Sequence, residues 1–278
     1  PMPILDRLKQ PQDNDKPPRR KDPKVIRDRA GGRIYTMNAL RERIEAQFNT
    51  ETAGRADLLA EADTEAKRRA LLLDCANYIL AVESVRLTRE EKNGLLDQAY
   101  ADLFGFGPLE PYLDDESLPE ITIDGPDNIH ARHGFGKIER LPVFFDDAAH
   151  LRRTIDRVLA AHGAQLADWN YFLEIGVALH GRPARLGLIA PPVSPHLQVE
   201  LRLHPQTPLT LDDLIGAGML TDQAARAITA HIAGGRGLLL VGEAGTGKTT
   251  LLSALGASFQ GRVVAVQRAA ELRFRESI

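Results

Sequence analysis

The residues best suited to chemistry in this sequence lie in "LLLVGEAGTGKTT", positions 238–250. Gly242, Gly247, Lys248 and Thr249 satisfy G-x-x-x-x-G-K-[ST], the spacing of a phosphate-binding loop. Glycine lets the backbone curl so that successive N–H groups converge on an anion. The groups in question belong to Gly242, Glu243, Ala244, Gly245, Thr246, Gly247, Lys248, Thr249 and Thr250. Lys248 is placed to reach the β- and γ-phosphates of a nucleoside triphosphate, and the Thr249 hydroxyl to hold Mg²⁺. The ligand expected on these grounds is ATP with Mg²⁺.

Such a loop needs a strand before it and a helix after it. Gly237–Val241 is a short apolar run bounded by glycines, which predicts a buried strand. Leu251, Leu252 and Leu255 recur at helical spacing, which predicts a helix starting near Lys248. Upstream, residues 35–107 read as a helical module. Met37, Leu40, Ile44 and Phe48 form one stripe, Leu71–Val85 is strongly apolar, and Thr88 with Glu91 forms a capping box before Leu95, Leu96, Ala99 and Leu103. Gly105, Gly107 and Pro108 end that helix.

Residues 108–206 switch to period two and read as an α+β sheet domain. Ile121 and Ile123 alternate with Thr122 and Asp124, Ile129 and Ala131 follow the "GPDN" turn, and Ile138 leads into a further strand. A helix with Asp146 near its cap carries Leu151, Ile155, Val158 and Leu159; strand candidates follow at Glu174–His180, Ala184–Ala190 and Leu197–Leu203. Residues 207–235 form a linker with two short helices, started at Thr210 with Asp213 and at Thr221. Residues 236–278 open a P-loop α/β domain.

With 278 residues and 43% hydrophobic content, the chain can bury more than one core. No run approaches the ~20 apolar residues that cross a bilayer, and the N-terminus lacks the apolar core of a signal peptide, which predicts a cytoplasmic protein. Cys75 is the single cysteine and excludes an internal disulfide framework. Net charge is −3, but residues 1–34 hold ten Lys/Arg against five Asp, a balance of +5 that leaves −8 on the rest. Pro, Asp and Gln among those charges predict a disordered basic tail, and the absence of interleaved aromatics argues against nucleic acid as partner. His130 and His133 stand three apart without a nearby cysteine, and Asp114–Asp115–Glu116 lacks calcium-loop spacing, so neither predicts a metal site.

The order of these parts resembles the secretion-superfamily (traffic) ATPases of type II and type IV secretion, in particular the CpaF-like branch of Tad/Flp pilus assembly. The resemblance rests on "FGFGPLEPYLDDESLPEITIDGPDNIHAR", "VELRLHPQTPLTLDDLIGAGML" and the phosphate loop, and covers about residues 70–274. It implies a cytoplasmic ATPase, peripheral at the inner face of the membrane, that forms a homo-hexamer and works with inner-membrane secretion or pilus proteins. It also implies a RecA-like core behind the sheet domain, with ATP bound between the two. Arg202 in "ELRLH" and Arg185 in "RPARLG" match family arginines that approach the bound phosphates, where an arginine neutralises developing charge.

The sequence departs from that pattern in three places. "QLADWNYFLEIGVALHGRPARLG" replaces a polar stretch; one family arginine falls on Leu179, and Trp169, Tyr171 and Phe172 form an aromatic cluster expected to pack, with a partner surface as the alternative. "RVVAVQRAAELRF" matches a strand in which the family has a Glu that positions the attacking water, followed by Asp. Gln267 and Arg268 stand there instead, while Glu271 matches a second family Glu. Glutamine orients water but cannot take its proton at neutral pH. Finally, 236–278 supply one strand, one helix and a second strand, too little for a parallel sheet covered on both faces. The remaining core, with the Walker B carboxylates, is expected beyond Ile278, as for a truncated chain. The resemblance thus implies a secretion or pilus motor, with two alternatives: a catalytically impaired nucleotide-binding paralogue, suggested by Gln267 and Arg268, or a nucleic-acid translocating P-loop protein, suggested by the basic tail.

Overall fold

The computed structural model describes residues 25–27, 34–134, 136–167, 170–243, 245–259, 262–267 and 272. They divide into two compact units: 1–111 with 126–128 and 142–165, and 112–125 with 129–141 and 166–278.

In the first unit, β1 (Val25–Arg27) pairs antiparallel with β2 (Ile34–Thr36). This corrects the expectation of a disordered tail through residue 34. Ile26 is partly buried against the helical core, and that apolar contact holds the short strand; residues 1–24 and 28–33 of the expected tail lie outside the described residues. Four helices follow: α1 (Met37–Thr52), α2 (Ala56–Glu61), α3 (Glu65–Val82) and α4 (Arg89–Phe104). Thr36 caps α1, its hydroxyl accepting from Ala39 N–H at 3.1 Å. The Thr88–Glu91 capping box forms as its spacing predicts. Leu40, Ile44 and Phe48 of α1 meet Leu72, Cys75, Ala76 and Ile79 of α3 and Leu95 and Ala99 of α4, each set on one helix face.

α5 (Ala148–Ala161) belongs to this unit, although the sequence groups it with the sheet. The reason is polar. Arg157 donates to the carbonyls of Asp102 and Gly105, the orphan acceptors at the end of α4. His150 Nε2 bonds Asp102 Oδ1 at 3.1 Å. Asp147, not Asp146, caps the helix, accepting from His150 N–H at 2.6 Å. Asp146 instead pairs with Arg41, which also lies 3.0 Å from Asp102 and 3.2 Å from Glu45. Arg41, Asp102 and His150 are all buried.

That cluster makes stability depend on pH. Burial pulls the His150 pKa down, but hydrogen bonds and charges from Asp102 and Asp146 outweigh it and push it up to about 9. Burial and the Asp102 charge, opposed by Arg41 and His150, push Glu45 up to about 7. Both groups favour the protonated folded state. Their contribution is full below the unfolded pKa and is lost as pH rises, through about 7 for Glu45 and about 9 for His150. Asp146 has the opposite sign: the His150 hydrogen bond and Arg41 outweigh burial and hold it low, so its contribution is lost only in acid. The first unit is expected to lose about 3 kcal/mol between pH 6.5 and 9 through His150, read as a fall in urea midpoint that His150→Asn removes.

The second unit is built on a six-stranded, fully antiparallel sheet in the order β5-β4-β3-β8-β7-β6. Its strands are β3 (Glu120–Asp124), β4 (Ile129–Arg132), β5 (Ile138–Arg140), β6 (Phe172–Leu179), β7 (Arg182–Ile189) and β8 (Gln198–Leu203). Register stacks the apolar alternation into rows, one of which runs Ala131, Ile121, Leu201, Leu186, Ile175 across five strands. Most of that row is fully buried, so a one-residue slip in any strand would expose it. His180 and Gly181, both at positive φ, close the β6–β7 hairpin as a two-residue turn.

Three helices follow the sheet: α6 (Leu211–Gly216), α7 (Asp222–Ala233) and α8 (Lys248–Leu255). Thr210 with Asp213 forms a capping box for α6, and the Thr221 hydroxyl caps α7. The sequence also predicts a buried strand at Gly237–Val241 and a second within "RVVAVQ". Neither is a paired strand among the described residues, and Leu239, Val241 and Val266 are more than four-fifths exposed. Apolar composition supplies a strand's side chains but not its hydrogen bonds, which need a neighbouring strand. The parallel sheet of a RecA-like core is accordingly not among the described elements. No helix of the described residues is long and apolar enough to cross a membrane.

Candidate functional site

The phosphate loop takes its shape from two glycines and one lysine. Gly245 and Gly247 sit at φ +79° and +80°, a region that side-chain-bearing residues rarely enter. Lys248 Nζ turns back and donates to the carbonyls of Gly242 at 2.9 Å and Glu243 at 2.5 Å. The Thr246 hydroxyl donates to the same Glu243 carbonyl at 2.9 Å. A Cβ on Gly242 would lie only 2.9 Å from that hydroxyl oxygen, so the first glycine permits the loop to close.

α8 begins directly behind it. Its first hydrogen bond runs from Leu251 N–H to Gly247 O at 2.8 Å, so the amides of Lys248, Thr249 and Thr250 precede any intrahelical acceptor. The helix adds partial positive charge at that end. Thr249, the residue expected to hold the metal, is exposed in this first turn, and Ala244 lies outside the described residues. The residues present fit a Mg²⁺–triphosphate: amide donors and a lysine for the phosphates, and a hydroxyl for the ion.

Helix α7 and the turn before it meet the two ends of this segment. His231, in the last turn of α7, has Nε2 3.0 Å from the Gly237 carbonyl, at the start of the segment leading into the loop. Met219, in the α6–α7 turn, meets the other end: a Cβ on Gly247 would lie 2.5 Å from Met219 Cε and 3.4 Å from its Sδ. Gly247 is thus required by its φ, while the Met219 methyl, the end of a flexible side chain, fills the space beside it. Sequence reasoning missed both contacts, and the motif itself carries no trace of them.

Arg185 and Arg202 are brought together. They are directly opposed in the β7–β8 register, on the face of the sheet away from the apolar rows. Like charges opposite one another destabilise a strand pair. Here Glu200 lies between them, 2.6 Å from Arg202 Nε and 3.8 Å from Arg185, with Glu174 3.9 Å from Arg185. Leu179, where the resemblance implies another arginine, is buried. Tyr171 and Phe172 are exposed at the start of edge strand β6, which corrects the packing role expected of them; Trp169 lies outside the described residues. Gln267 Oε1 accepts from Leu272 N–H at 3.0 Å, and Arg268 and Glu271 lie outside the described residues.

No family model matches the chain. Over 178 residues it is 35% identical to a putative conjugal transfer protein of Mycobacterium tuberculosis, covering 62% of this chain and 50% of that protein. The chain therefore spans half the length of that relative. Among solved structures, the VirB11 ATPase of the Brucella suis type IV secretion system overlaps with a TM-score of 0.35 and 22% identity, over 58% of this chain and 56% of that one. The Legionella pneumophila ATPase DotB gives 0.34 and 20%, over 52% and 38%.

Proposed function

We propose that this chain is the nucleotide-binding part of a secretion-system ATPase of the CpaF-like branch, binding ATP with Mg²⁺ through residues 242–250. The observation that carries this reading is the closed loop, with its carbonyls taken by Lys248 and Thr246 and its amides left at the head of α8. The motif order around the sheet domain and the similarity to a conjugal transfer protein support it. On this reading Lys248 exchanges its bonds to the Gly242 and Glu243 carbonyls for the β- and γ-phosphates, Thr249 holds the metal, and the Arg185–Arg202 pair supplies positive charge for the γ-phosphate. Mg²⁺ held at Thr249 would supply charge neutralisation at the phosphates. On this reading the protein works at the cytoplasmic face of the membrane as one subunit of a hexamer that moves pilins or transferred substrates.

Lys248→Ala removes a charge-assisted phosphate contact worth about 1.5–3 kcal/mol, so Mg²⁺–ATP affinity is expected to fall roughly 10- to 150-fold in titration calorimetry. Unchanged affinity would sink the loop assignment. A second reading, a nucleotide-binding paralogue that hydrolyses poorly and assembles with an active partner, is favoured by Gln267 at the water-positioning position. Phosphate release by the chain alone and with an active paralogue separates the two.

A further inference from the structure

We infer that α7 and the turn that precedes it act as a two-point clamp on the phosphate loop, with His231 and Met219 as its positioning residues. The inference rests on the nucleotide-binding reading for its consequence, but the clamp itself is built from contacts at each end of one segment. Residues 237–247 lead into the loop and form it. At the first of them His231 donates to the main-chain carbonyl of Gly237 at 3.0 Å. At the last, the Met219 thioether occupies the space a side chain on Gly247 would take.

The two contacts are chemically different and complementary. The imidazole hydrogen bond fixes the chain where no strand partner takes its hydrogen bonds, since Gly237–Val241 is unpaired among the described residues. The thioether is unbranched and polarizable, so it can fit the irregular surface of a loop that has no side chain of its own there. The Met219 main chain is held, since Gly218 at φ +71° follows α6 and Met219 N–H donates to the carbonyl of buried Leu214 at 2.9 Å, while the residue is 40% exposed. His231 sits on α7, whose cap and helix are independent of the loop. A loop pinned at both ends presents its amides in fewer arrangements, which lowers the ordering cost of binding a polyphosphate. Neither side chain needs to touch the ligand.

The test uses the 278-residue chain with two probes, Mg²⁺–ATP and Mg²⁺–tripolyphosphate, and amide hydrogen exchange over residues 242–250 without ligand. Met219→Ala is expected to speed exchange in that segment and to weaken both probes by the same factor, roughly 2- to 30-fold. Met219→Leu should restore both. His231→Ala should act in the same direction and His231→Gln, which keeps a donor, should recover. Unchanged exchange in both alanine variants overturns the clamp. So does a loss confined to ATP, which would make Met219 a nucleoside contact, or a leucine variant no better than alanine. If the unmodified chain binds neither probe, the nucleotide reading falls, while the exchange comparison still decides whether the clamp exists.

Discussion

Arg182→Met should be the most destabilising single substitution in the second unit, by roughly 3–5 kcal/mol in equilibrium urea unfolding. Arg182 is 1% exposed, the largest fully buried side chain of the described residues. Its guanidinium donates to four main-chain carbonyls: Nε to His204 at 3.0 Å, Nη1 to Leu113 at 3.0 Å and Asp115 at 2.8 Å, and Nη2 to Leu118 at 3.2 Å. Those carbonyls lie before β3 and after β8, so one side chain ties the entrance and exit of the sheet together. Burial pulls its pKa below the usual arginine value, opposed by Glu116, Asp115 and Asp114 at the acidic turn that reads as a mere solvated loop in the sequence. Methionine keeps much of the volume and removes every donor, leaving the carbonyls without partners, at ~1–3 kcal/mol for each one that stays dry. Arg182→Lys keeps the charge but not the planar fork, so it should fall between the two. If methionine costs less than ~1 kcal/mol, the carbonyls find water and the arginine is no keystone.

Arg182 also shows where sequence reading stops. Period-two alternation makes the strands legible because one face is buried, but the pairing of β3 with β8 that sets Ile121 beside Leu201 joins segments far apart in the chain and is not written in either. Helix starts are legible because Thr88, Thr210 and Thr221 each satisfy an orphan amide by a local bond. A buried arginine bonding carbonyls more than 60 positions away has no local signature, and neither has α5 settling on the end of α4 through His150 and Arg157. The run around the phosphate loop fails for a different reason. Gly237–Val241 has strand composition, yet pairing is a property of two segments, and no described segment takes its hydrogen bonds. The loop motif is legible because the hydrogen bonds that close it join residues within seven positions of one another. Its supports, Met219 and His231, are not.

Slow turnover is the other large effect expected. Gln267 stands where the resemblance implies the carboxylate that positions the attacking water, and its Oε1 is engaged with Leu272 N–H at 3.0 Å. An amide can orient water but cannot accept its proton, and general-base help is typically worth ~10²–10⁴ in rate. On the proposed reading, phosphate holding depends on other groups, Lys248 and the amides of the loop. ATP affinity and turnover should therefore separate: Gln267→Glu with Arg268→Asp, restoring the family pair, should raise kcat by roughly 10²-fold or more with little change in nucleotide affinity. The two positions must change together, because a carboxylate next to Arg268 in sequence would otherwise have a cation competing for it. Measured on the longest protein that contains this chain, a kcat already equal to that of the restored variant would show that Gln267 is no handicap. Glu271, or a carboxylate elsewhere, would then have to position the water, and Glu271→Gln would abolish turnover in the first case and leave it intact in the second.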